Sequence, residues 1–99
     1  MDITTTYDND LATVAVSGYL NTNTASELEQ ELAKVFAKTH TVVLDFAQLE
    51  YLSSAGLRVL VGAQKQVTAA AGSLKIIHLT DEVREVFEIT GLIDIMDVE

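Results

Sequence analysis

The apolar positions along the chain change period several times, and each change marks an element. Ile3 to Tyr7 is a Thr-rich, β-prone run, Asp8-Asn9-Asp10 supplies turn chemistry, and from Leu11 to Ser17 the pattern alternates, with Ala12, Val14 and Val16 on one side. Two antiparallel strands in a hairpin are predicted. Gly18 punctuates, and Thr22 or Thr24 can cap a helix in which Ala25, Leu28, Leu32, Val35 and Phe36 recur at helical spacing. Glu27, Glu31, Lys34 and Lys38 fall on its outer face.

Thr41 to Phe46 is a β-branched run without clean alternation, as expected of a central strand buried on both faces. A second helix should start near Ser53 or Ser54 and run to about Ala71, with Leu57, Leu60, Val61 and Gln64 on one stripe and Gly72 as its stop. Leu74 to Leu79 reads as a further strand. Thr80 or Asp81 then caps a last helix with Val83, Val86 and Phe87 facing inward, and Gly91 ends it. The tail, Leu92 to Val98, has enough apolar residues to return as a short strand or docked segment. This order predicts an α/β fold: a mixed sheet of four to five strands with about three main helices, the helix crossovers joining parallel neighbours.

The 99 residues carry 48% apolar side chains, no proline and no composition shift, so one domain over 1–99 is expected. No apolar run approaches the roughly 20 residues of a bilayer span, and Met1 to Asp10 lacks the basic and apolar regions of a secretory signal. A cytoplasmic location is expected, with no membrane partner. Cysteine is absent, and His40 and His78 stand outside any short ligand motif, so no metal and no cofactor is expected. Six basic against fifteen acidic residues give a formal charge of -9, which repels nucleic acid and favours a partner with a basic surface.

The most distinctive stretch is Asp45-Phe46-Ala47-Gln48-Leu49-Glu50-Tyr51-Leu52-Ser53-Ser54-Ala55-Gly56-Leu57. It resembles the signature of the STAS domain, shared by anti-sigma-factor antagonists and the cytoplasmic tails of sulfate transporters. There a strand ending in Asp leads through a short loop, an aromatic and an aliphatic residue to Asp-Ser-Ser-Gly or Ser-Ser-Ala-Gly before a helix. Gly18-Tyr19-Leu20-Asn21 is similar to the family's Gly-x-Leu-Asp, and Val86-Phe87-Glu88-Ile89-Thr90-Gly91-Leu92 to its closing helix. By position the resemblance implies that Ser54 is the phosphoacceptor and that Asn21, Ser53, Ser54, Ala55 and Gly56 form the partner-binding surface. Asn21 and Ser53 stand where the family usually has acidic residues.

What the resemblance implies is partner switching by a monomer or weak dimer. The unphosphorylated protein binds an anti-sigma factor that is also its serine kinase, phosphorylation of Ser54 ends the binding, and a serine phosphatase resets it. A second reading is a STAS interaction module that regulates a transporter, a lipid-trafficking complex or a signalling assembly without phosphorylation. A third is a small serine hydrolase using Ser54, His78 and Asp81. No Gly-x-Ser-x-Gly elbow and no Gly-rich phosphate loop accompany them, so no catalytic residue is assigned.

Each feature also has a plainer reading. A Ser-Ser pair opening a helix is commonly an N-cap, and Gly56 commonly relieves crowding against a sheet. Asp45 reads as turn chemistry at a strand end, and His78 receives no role. Asp81, Glu82, Glu85 and Glu88 read as a solvated helix face. Tyr19 and Tyr51 are either exposed anchors or partly core.

Overall fold

The computed structural model describes residues 1–99. β1 (Asp2–Asp8) and β2 (Leu11–Leu20) form the antiparallel hairpin, with Ile3 opposite Val16 and Asp8 opposite Leu11. Asn9 turns the chain at φ 55°, a left-handed conformation that asparagine tolerates. Next come α1 (Ala25–Phe36), β3 (Thr41–Leu52), α2 (Ser54–Ala69), β4 (Ser73–Ile77), α3 (Asp81–Thr90), a single 3₁₀ turn (Leu92–Asp94) and β5 (Asp97–Val98). The sheet order is β1-β2-β3-β4-β5, and β2 to β5 are mutually parallel. The mixed sheet and three helices agree with the expected architecture, and the tail supplies the fifth strand.

One core of 23 buried residues holds the molecule together. Ala12, Val14 and Val16 of β2, Val42, Leu44 and Phe46 of β3, and Leu74 and Ile76 of β4 form its sheet side. From the helices, α1 contributes Leu28, Leu32 and Val35, α2 Leu60, Ala63 and Val67, and α3 Val83 and Phe87. Full burial of a side chain such as Phe87 stabilises the fold by about 1.5–3 kcal/mol.

Five expectations change. β3 alternates after all: Val42, Leu44 and Phe46 are buried while Thr41, Val43 and Asp45 are exposed or half-buried, so only one face of this strand is covered. The strand also runs on to Leu52, because register shifts against β2 turn its burial from every second residue to Phe46, Leu49 and Leu52. A bulged strand of this kind imitates a loop in sequence.

On α2 the buried stripe is Gly56, Leu60, Ala63 and Val67, rotated from the expected one; Leu57, Val61 and Gln64 are only half-buried. Small residues let this helix sit close to its neighbours, a preference that apolarity alone does not disclose. At the other end of α2, the left-handed residue is Ala71 (φ 56°), and the Gly72 N–H donates to the Val67 carbonyl. Gly72 is required for another reason: a Cβ there would collide with the His40 carbonyl oxygen. β4 stops at Ile77, short of Leu79, where His78 turns out at φ 61°.

Candidate functional site

Because β2, β3 and β4 are parallel and each leads into a helix, the starts of α1, α2 and α3 gather at one edge of the sheet, beyond the strands' C-terminal ends. Leu20 and Leu52 are partners in register, so the residues that follow them, Asn21 and Ser53, emerge as neighbours. The Ser53 N–H donates to the Leu20 carbonyl at 2.9 Å, which ties the two exits together.

α1 starts in a closed network. Thr24 occupies the cap position, yet its side chain makes no capping bond; its hydroxyl donates to the Tyr19 carbonyl at 2.7 Å and accepts from the Asn21 N–H at 2.9 Å. Asn21 orders the turn instead: its side-chain oxygen accepts from the N–H of Asn23 at 2.9 Å and of Thr24 at 3.1 Å, and its carbonyl accepts from the Ala25 N–H at 2.8 Å. Asn21, expected as part of a binding surface, therefore also has a structural task.

α2 starts differently. Ser53, extended at φ -91° and ψ 172°, is the cap: its Oγ accepts from the Gly56 N–H at 3.3 Å, and its carbonyl accepts from the Leu57 N–H at 2.9 Å. Ser54 is the first helical residue and is exposed. Its hydroxyl makes no bond within the chain, since the capping bond belongs to its neighbour. Ala55 packs half-buried against the core. Gly56 is buried where a Cβ would come within 2.7 Å of the Leu20 side chain and 2.8 Å of Leu52, so its smallness serves the packing of helix on sheet. Of the five predicted residues, Asn21, Ser53 and Gly56 have clear structural work, and Ser54 offers a free hydroxyl.

Tyr19 and Tyr51, opposite each other in register, turn away from the core at this same end of the sheet. They are 55% and 51% exposed, with ring centroids 6.1 Å apart and a tilt of 38°, which decides between the two readings in favour of exposure. Such a pair gives a wide, rigid contact area next to the α2 start.

A second polar contact joins residues that sequence reasoning treated separately. Asp45 lies inside β3, not at a strand end; one carboxylate oxygen accepts from the Ala47 N–H at 3.0 Å and faces His78 Nδ1 at 3.0 Å. The 33-residue separation left no local signal of this pair. Asp45 thus holds the ring nitrogen that Asp81 would hold in a hydrolase based on Ser54, His78 and Asp81. No helix is long and apolar enough to cross a membrane.

The STAS domain family model matches residues 2–99. BtrV of Bordetella bronchiseptica is 44% identical over 84 residues, which cover 84% of this chain and 72% of that protein. The anti-sigma-B factor antagonist of Staphylococcus epidermidis is 33% identical over 99 residues, covering 99% of this chain and 92% of that one. Among solved structures, the anti-sigma factor antagonist SpoIIAA of Bacillus superposes in its unphosphorylated form with a TM-score of 0.85, 18% identity and coverage of 99% and 88%. Its phosphorylated form gives 0.78, 17%, and coverage of 99% and 91%. The relatives named as antagonists are regulatory binding proteins rather than enzymes.

Proposed function

Because the chain belongs to the STAS domain family, we propose that it is an anti-sigma-factor antagonist whose partner-binding surface is the α2 start and whose switch is phosphorylation of Ser54. In its unmodified form it captures an anti-sigma factor that is also a serine kinase, and so frees a sigma factor. Transfer of phosphate to the Ser54 hydroxyl ends the complex, and a serine phosphatase restores the binding form. These steps place it in the cytoplasm beside the transcription machinery.

The observation that carries this reading is the division of labour between adjacent serines. Ser53 caps α2, so Ser54 is free to change its chemistry without removing the bond that starts the helix. A phosphate there adds a charge of about -1.5 to -2 close to the positive end of the helix dipole, where the fold tolerates it. The same charge on a surface that must dock closely opposes association through repulsion and desolvation. A coupling of about 1 to 3 kcal/mol changes affinity about 5- to 150-fold, enough for a switch. That relatives of this chain are anti-sigma-factor antagonists supports the same role here.

The test is to incubate the protein with ATP and the serine-kinase anti-sigma factors of its source organism, then determine intact mass and the modified residue. One phosphate, on Ser54, and loss of the complex are expected. Modification at Ser53, or neither binding nor modification by any of these kinases, overturns the reading. Ser54→Asp should weaken the complex at least about tenfold while circular dichroism stays unchanged.

A further inference from the structure

α2 differs from the rest of the molecule in charge. It carries Arg58 and Lys65 and no acidic residue, whereas outside it four basic side chains face fifteen acidic ones. Arg58 is exposed, and its guanidinium takes part in neither a hydrogen bond nor an ion pair. The other arginine, Arg84, donates to the Glu99 carbonyl oxygen at 3.3 Å, so Arg58 carries the one guanidinium without a contact inside the chain. Its location is also electrostatically awkward, because a cation near the start of a helix opposes the macrodipole and the first turn of α2 supplies no carboxylate to offset it.

The awkwardness disappears if an anion arrives at Ser54. Residues at i and i+4 lie about 5–6 Å apart between Cβ atoms on the same helix face, and a long helical side chain leans toward the turn that precedes it. Ser54 and Arg58 have this spacing, and both are exposed. Guanidinium matches phosphate oxygens through paired N–H donors, a geometry an ammonium group does not reproduce.

We propose that Arg58 is the phosphate-positioning residue of the switch, pairing within the chain with the phosphate carried by Ser54. The pair holds the dianion against the surface of α2. It favours the dianionic form and shields the phosphate ester from attack. In the unmodified state Arg58 is a free cation on the binding surface, so phosphorylation both adds negative charge and withdraws a positive one. This rests on the proposed modification of Ser54, and the experiment separates the two.

Phosphoserine is installed at position 54 of the full chain by genetic encoding, with no kinase involved, and its phosphorus NMR signal is titrated with pH. Removing the cation in Arg58→Gln should raise the titration midpoint by about 0.3 pH unit or more. Arg58→Lys should restore part of the difference. Lys65→Gln, about 16 Å further along the helix axis, should leave it unchanged. Alkaline phosphatase should cleave the Arg58→Gln phosphoprotein several-fold faster. Circular dichroism of the unphosphorylated variants controls for folding, since an exposed residue without partners is not needed for it. Equal midpoints and equal cleavage rates with and without Arg58 overturn the assignment. Failure of every cognate kinase to modify Ser54, with the Arg58 effect intact in the encoded phosphoprotein, would overturn the proposed function alone.

Discussion

The first two helices begin as neighbours at the same edge of the sheet, and their starts are built to different ends. At α1 two side chains are tied to one another and to the backbone: the Asn21 oxygen takes two backbone N–H groups, and the Thr24 hydroxyl both donates to Tyr19 and accepts from Asn21. At α2 a single bond from Gly56 to Ser53 suffices, and the next residue keeps its hydroxyl free and exposed. The first start is held by two side chains, the second by one. A modification of Ser54 leaves the bond that caps α2 in place, whereas one on Thr24 would break the network that orders the start of α1.

Substitutions at the two starts can break or sharpen this contrast. The largest effect is expected from Gly56→Val, which drives a branched side chain into Leu20 and Leu52 and should cost about 3 kcal/mol in denaturant unfolding. If this variant keeps full stability, close approach is not what glycine provides there. Next, Asn21→Ala removes an acceptor for two N–H groups and should cost up to about 2 kcal/mol, more than the roughly 1 kcal/mol expected for Ser53→Ala, with its single long bond. A reversed order in paired unfolding curves would mean that α2 is the more heavily committed start. The smallest effect belongs to Ser54→Ala, which should stay within about 0.5 kcal/mol of the parent because no bond is lost. A larger loss in the same measurement would show that Ser54 shares the capping.

Much of this was legible in the chain, and the failures have physical causes. The hairpin, α1 and α3 follow from regular periods ended by turn residues, and Thr80 and Gly91 mark the limits of α3 as expected. β3 was cut short because its bulges place Phe46, Leu49 and Leu52 three apart, a spacing foreign to regular strands. The stripe of α2 was misjudged because Gly56 and Ala63 earn burial by size rather than by hydrophobicity. At the site, the motif pointed to Ser53 and Ser54 together, and only the backbone geometry separates the cap from the free hydroxyl. The Asp45–His78 contact depends on two strands lying side by side, which no local pattern encodes. Arg58, by contrast, stands one helical turn from Ser54 in the sequence, where an exposed arginine is ordinary until the fold shows its guanidinium without a contact.

The margins of the sheet bear on how the protein keeps its molecules apart. β5 is only two residues long and gives another strand little to pair with, whereas β1 is a seven-residue outer strand, Thr-rich and exposed at alternate positions. An edge of that length is a template for intermolecular pairing. Mutual repulsion among chains of charge -9 opposes such pairing at neutral pH. That protection should fade as acidification approaches the isoelectric point near 4.4, where β1 is the edge expected to pair between molecules.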